Sequence, residues 1–250
     1  MTRFLAFGEQ LDGYNVKVLN ERAVRAGAGL LFLFAIVSFM NAWLMGSFQP
    51  TRVFVVAFLV DFTIRIFINP RFAPSLIIGQ WIVRKQQPEY VGAPQKRFAW
   101  AIGFVLALTM LYLVVLNNVI GPINLIVCAA CLVLLFFETA FGICIGCKVY
   151  NLLNKEQAQL CPGGVCEVPE APGSGAGLAQ GAIVAAFIGV VAAAAMWVAA
   201  NDPHAAARQA AVAPAQQAPI DPAEAERCKA PDFAKALGHE EKWKLHNNCK

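Results

Sequence analysis

Eight cysteines occur in the 250 residues, and six of them fall into close pairs: Cys128 with Cys131, Cys144 with Cys147, and Cys161 with Cys166. The other two, Cys228 and Cys249, lie near the C-terminus. Cys144-Ile-Gly-Cys147 sets two thiols at a spacing suited to reversible disulfide exchange or to two ligands of one metal, and Lys148 beside them favours the thiolate. Cys161-Pro-Gly-Gly-Val-Cys166 has a proline and two glycines to fold a tight loop between its sulfurs. Taken together the four read C-x2-C-x13-C-x4-C, close to a four-thiolate zinc or iron–sulfur arrangement. Spacing does not choose between redox pairs, which need no cofactor, and a closed structural metal site. The absence of His from this stretch does remove mixed Cys/His sites. The plain alternative is that apolar helix ends tolerate Cys as a small hydrophobe.

The remaining candidates are weaker in chemistry. Cys128-Ala-Ala-Cys131 puts two sulfurs one helical turn apart, where a disulfide would strain a regular helix, so core packing competes with a step in an electron relay. Asp61 and Arg65 are four apart in an apolar run and read as an intramembrane ion pair, because a lone charge at membrane depth is costly. Glu138, just ahead of the cysteine segment, either snorkels to the interface, joins Arg65, or takes part in the thiol chemistry. Cys228 and Cys249 are expected to form a structural disulfide. His204, His239 and His246 sit in the same C-terminal stretch, where solvated His is the ordinary reading and a metal site with the two cysteines the sharper one.

The elements that position these residues follow from composition. A chain that is 58% hydrophobic and 14% charged, with mean hydropathy +0.55, is solvated mostly by lipid. Runs long enough for a hydrocarbon core predict an all-α integral membrane bundle of about five transmembrane helices. They cover Ala26–Met45, Val53–Ile68, Phe98–Leu116, Ile120–Ala140 and Leu178–Ala200, the second being short and polar for a span. The stretch before the first run is long and carries Glu9, Asp12 and Glu21, which speaks against a cleaved signal peptide.

Basic residues in short loops mark the cytoplasmic side. Arg3, Lys17, Arg22 and Arg25 precede the first run; Arg71, Arg84, Lys85, Lys96 and Arg97 separate the second from the third; Lys148 and Lys155 follow the fourth. The intervening loops hold Arg52 alone, then no charge around Asn117 and Asn118. With five spans this alternation predicts an N-terminus in the cytoplasm and a C-terminus outside it, and puts Cys144, Cys147, Cys161 and Cys166 at the cytoplasmic face. Basic residues interleaved with aromatics are missing outside the membrane-flanking loops, so nucleic acid is not an expected partner.

Between the second and third runs, Phe72, Leu76, Ile77, Trp81, Ile82 and Val83 recur at helical spacing, which predicts an interfacial amphipathic segment. Gly177, Gly181, Ala185, Gly189 and Ala193 form a small-residue ridge on the fifth run, suited to close helix contact within the bundle or with another membrane subunit. The expected organisation is therefore a cytoplasmic segment 1–25, a four-helix membrane domain 26–154, a cysteine-containing loop 155–177, a fifth helix 178–200, and an exported linker with a small cysteine-stapled tail 201–250.

Four blocks, NERAVRAGAG at Asn20–Gly29, NPRFAPS at Asn69–Ser75, VGAPQKRFAW at Val91–Trp100 and FETAFGICIGCKVY at Phe137–Tyr150, resemble a bacterial membrane family known as domain of unknown function 4395. The resemblance runs from about Asn20 to Asn154 and implies a multi-span inner-membrane protein without an assigned activity. From the residues, one reading is a membrane thiol site acting in thiol–disulfide or sulfur-transfer redox chemistry with a thioredoxin-like or sulfur-carrier partner. The other is a non-catalytic accessory subunit whose Cys144, Cys147, Cys161 and Cys166 hold a structural metal, zinc or iron–sulfur. A transporter would need more polar groups along a path than Asp61, Arg65 and Glu138 provide.

Overall fold

The computed structural model describes residues 7–11, 16–153 and 177–202, together with Cys228 and Pro231. Cys161, Cys166, Cys249 and the three histidines lie outside the described residues, as do nearly all of the expected linker and tail. So the second cysteine pair, the Cys228–Cys249 staple and the tail helix are not described further.

The described elements are a short strand β1 (Val18–Asn20), α1 (Glu21–Met45), α2 (Gln49–Thr63) continued by a π-helical turn at Ile64–Ile68, a 3-10 turn at Pro70–Phe72, α3 (Pro74–Ile82), β2 (Tyr90–Gly92), α4 (Ala93–Met110) with a π-helical end at Leu111–Leu116, α5 (Pro122–Phe141), α6 (Ile145–Leu153) and α7 (Leu178–Ala200). The protein is an all-α membrane bundle with one small exception. β1 pairs antiparallel with β2, Val18 opposite Gly92 and Asn20 opposite Tyr90, tying the segment before α1 to the segment before α4.

Local chemistry explains where helices start and stop. α1 begins at Glu21, ahead of the expected Ala26, because the Asn20 side chain accepts from the Arg22 and Ala23 backbone N–H groups. It ends at Gly46, which is left-handed with φ 63°. α4 likewise begins at Ala93 instead of Phe98, with Pro94 in its first turn where a missing N–H costs nothing.

Among the described residues four helices are long and apolar enough to cross a membrane: Glu21–Met45, Ala93–Leu116, Pro122–Phe141 and Leu178–Ala200. The expected second span exists as the continuous helix Gln49–Ile68, but Arg52, Asp61 and Arg65 lower its apolar character. It runs back along α1: near its start Thr51 donates to the Ser38 carbonyl, and beyond its end Ser75 lies against Gly27, one turn into α1.

Many large apolar side chains, Phe34, Trp43, Val105 and Ile126 among them, are exposed, as expected where the surrounding medium is hydrocarbon. Burying them against each other gains little there, so close packing of small residues must hold the helices together. The α1–α3 contact is the clearest case. A Cβ on Gly79 would lie 2.5 Å from the Ala23 carbonyl oxygen and 2.8 Å from the Gly27 nitrogen. This alters the expected interfacial segment. α3 buries Leu76 and Ile77 against the bundle, and exposes Trp81 and Ile82 with Arg84 lying 5.4 Å over the Trp81 ring.

Candidate functional site

The cysteine pair is built by a helix stop followed at once by a helix start. α5 ends at Gly142, whose φ is 65° and whose N–H reaches the Phe137 carbonyl. A side chain there would meet the Arg25 guanidinium, so glycine serves both the left-handed turn and the close approach. Two residues later, Cys144 caps α6. Its carbonyl accepts the Lys148 N–H at 3.1 Å, and its Sγ accepts the Cys147 N–H at 3.3 Å. Cys144 and Cys147 lie at disulfide distance, with Cα atoms 5.2 Å apart. Cys144 is half-buried, whereas Cys147 is only 9% exposed.

α4 fixes the height and tilt of α6. A Cβ on Gly146 would lie 2.6 Å from Ala99 Cβ, so the glycine between the cysteines lets the two backbones touch. Farther along, the Gln95 amide donates to Asn151 Oδ1 at 2.9 Å, and Phe98 packs on Tyr150 with ring centroids 5.5 Å apart.

Beside this pair lies a charge cluster shared by three helices. Lys96 is fully buried, with Nζ 2.8 Å from Glu21 Oε2 and 2.7 Å from Glu138 Oε1. Arg25 Nε is 3.3 Å from Glu21 Oε1, so two cations balance two carboxylates. A buried ion survives only when paired in this way. Glu138 therefore turns toward Lys96; it neither snorkels freely nor joins Arg65. The cluster ties α1, α4 and α5 together at the end where Gly142 and Cys144 follow, and Arg25 lies against that turn.

A second polar network sits deeper. Arg65 Nε is 2.6 Å from Asp61 Oδ2, both side chains being almost fully buried. The Ser75 N–H donates to Asp61 Oδ1 at 2.9 Å, and the Arg65 guanidinium also donates to the Ser75 hydroxyl. Arg65 lies over two rings, 4.8 Å from the Phe62 centroid and 5.1 Å from that of Trp100. These groups fasten α2 to α3 and α4.

Cys128 and Cys131 remain free thiols within α5, because both lie inside a regular helix where the backbone holds their sulfurs off disulfide geometry. They line a small apolar cavity of about 50 Å³ together with Phe58, Met110 and Leu135. From Cys131 to Phe141, α5 rises ~15 Å, too far for direct thiol exchange with Cys144. On α7, the ridge residues Gly181, Ala185, Gly189 and Ala193 are exposed, with nothing within 4 Å of a Cβ on either glycine. The ridge does not serve packing within the described bundle.

Lys96, Glu21, Ser75 and Trp100 were not singled out by motif. Lys96 and Glu21 carried only a loop-charge reading. Their signal was their presence in the blocks at Asn20–Gly29 and Val91–Trp100. Among the described residues no group of three or more His, Cys, Asp or Glu is placed to hold a metal ion. A disulfide sulfur offers a metal no thiolate, so the four-thiolate alternative would require this pair reduced.

A family model described as Domain of unknown function (DUF4395) matches residues 19–155, which takes in β1 through α6 and leaves α7 outside. No curated protein matches the chain, and no solved structure does.

Proposed function

The chain belongs to the family of that domain of unknown function, more than half of its length being matched, and from that premise we propose that it is a membrane thiol–disulfide exchange protein. The observation that carries the proposal is the placement of Cys144 and Cys147 at the N-terminus of α6. There the backbone N–H groups and the positive end of the helix favour a thiolate. A partner thiolate attacks the half-buried Cys144 sulfur and breaks the Cys144–Cys147 bond. Cys147 leaves as a thiolate at the third residue of α6. A second thiolate of the partner then resolves the mixed disulfide, so that the partner leaves oxidised and both cysteines leave reduced, each taking up a proton as its pKa and the pH require. The reverse sequence oxidises the pair.

The basic residues support a cytoplasmic location for the site. Lys17, Arg22, Arg25, Arg71, Arg84, Lys85, Lys96, Arg97 and Lys148 belong to the strands, turns and helix ends gathered around β1, β2 and α6, while Arg52 stands at the opposite end of α1. By the positive-inside rule the cysteine end faces the cytoplasm, and a fifth crossing by Gln49–Ile68 puts the C-terminus in the periplasm of a bacterial inner membrane. A thioredoxin-like or sulfur-carrier protein is the partner class that this location admits.

One observation favours the alternative of an accessory subunit: the exposed small-residue ridge of α7 fits a helix of another membrane protein. The two readings separate by trapping. Cys147→Ser protein treated with glutathione disulfide is expected to accumulate a mixed disulfide at Cys144, and Cys144→Ser protein far less of one at Cys147. Equal inertness of both variants would reject exchange and leave the accessory reading.

A further inference from the structure

Lys17 and Arg97, like Arg71, Arg84, Lys85 and Lys148 at the same basic end, have no carboxylate partner among the described residues. Lys17 and Arg97 are both exposed, and they share the mouth of a groove of about 710 Å³. Their proximity is built in. The β1–β2 ribbon holds the chain before α1 against the start of α4, and the Ala93 N–H donates to the Lys17 carbonyl at 2.9 Å. The Arg97 guanidinium is steadied 5.2 Å over the Phe7 ring. Below the cations the lining turns apolar, with Ile66, Phe98 and Ala101.

The apolar lining continues down the helix that carries Arg97. Ala101, Val105 and Leu108 follow Arg97 at intervals of four, four and three, which keeps them on one face. Val105 is 60% exposed and Leu108 42%, with Phe67 of the second helix 56% exposed and packed beside this face on Phe104. From Arg97 to Leu108 the helix rises ~16 Å, about half of the ~30 Å hydrocarbon thickness. A pair of cations at headgroup level above an apolar track one leaflet deep matches an anionic phospholipid: phosphate under Lys17 and Arg97, acyl chain along α4. Free phosphate would use the cations alone, whereas a lipid uses the cations and the adjoining track together. We propose that this groove is a binding site for one anionic phospholipid.

The test uses the full chain purified in detergent, stripped of lipid, and offered phosphatidylglycerol or phosphatidylcholine of identical acyl chains, with bound lipid counted by native mass spectrometry. The wild type is expected to retain one phosphatidylglycerol in preference to phosphatidylcholine. Lys17→Gln and Arg97→Gln are each expected to weaken that retention roughly fivefold, the size of one basic residue at an anionic surface. Both side chains are exposed, so unchanged thermal melting can certify folding. Ala101→Trp fills the track while keeping both cations, and is expected to displace the lipid. Equal retention of the two lipids, or retention unaffected by either charge substitution, would overturn the assignment. So would an intact lipid signal in Ala101→Trp together with displacement by inorganic phosphate, which would make the ligand phosphate alone.

Discussion

Removing the Arg65 side chain should cost more stability than removing the whole Asp61–Arg65 pair. Arg65→Ala leaves the Asp61 carboxylate, which is fully buried, with only the Ser75 N–H at 2.9 Å and the Ser75 hydroxyl as donors. It also takes the guanidinium from the faces of Phe62 and Trp100. Uncompensated burial of one member of an ion pair costs about 3–5 kcal/mol, and a desolvated cation–π contact about 2 kcal/mol. Because the Ser75 N–H and hydroxyl still serve the carboxylate, the lower half of that range, about 3–4 kcal/mol, is expected for Arg65→Ala. Asp61→Asn should cost about 2–3 kcal/mol, since the aromatic faces still hold the stranded guanidinium. In Asp61→Asn/Arg65→Met both charges are gone and an unbranched side chain fills much of the space, so the loss should fall to about 1–2 kcal/mol. With Arg65→Met as the matching single variant, expected to cost about as much as Arg65→Ala, the cycle gives a coupling of roughly 3–6 kcal/mol. The assay is reversible unfolding in mixed micelles followed by tryptophan fluorescence, to which Trp100 beside Arg65 contributes directly. Additive losses, or single variants within about 1 kcal/mol of wild type, would refute the view that this pair fastens α2 to α3 and α4.

Three further outcomes follow from the same geometry. Gly146→Ala puts a Cβ 2.6 Å from Ala99 Cβ and 2.8 Å from Ala99 Cα and should lower stability by about 1–3 kcal/mol; Ala99→Gly in the same chain should restore only part of it, since the Cα clash stays, as read from the thermal midpoint in detergent. Lys96→Met strands Glu138 and leaves Glu21 with Arg25 alone, and should cost about 3 kcal/mol or more, with Glu138→Gln in the double variant recovering part of the loss in the same melting assay. After reduction, the half-buried Cys144 should react with a maleimide well before Cys147, 9% exposed, as followed by peptide mass spectrometry over time.

Much of the bundle was legible because its signals are local. Apolar run length marked the helices, and the first run ended at Met45, where α1 ends and Gly46 turns left-handed. The starts of α1 and α4 were misplaced because polar first turns, with Glu21 and with Gln95–Lys96, do not look like membrane helix. They fold as helix because Asn20 caps one and Pro94 opens the other. The β1–β2 ribbon escaped notice since its strands are three residues each and some seventy positions apart, and only the folded chain brings Val18 to Gly92. For the cysteines, identical C-x2-C spacing had two outcomes. Cys128 and Cys131 lie within an unbroken helix and stay apart, whereas Gly142 breaks the chain just before Cys144 and leaves it free to reach Cys147. Glu138 drew attention as a lone intramembrane acid. Its partner Lys96, 42 residues away, had looked like one more positive loop charge.

The most direct test of the central claim is an anaerobic redox titration of the detergent-purified full chain in dithiothreitol buffers of graded potential. Cys144 and Cys147 are trapped by alkylation and read by mass, and bound zinc and iron are measured on the same samples. The account predicts a metal-free protein in which the two cysteines pass between disulfide and dithiol together, as one reversible two-electron couple. A pair that stays in one state across the whole range, or reduced cysteines protected by a near-stoichiometric metal, would contradict it.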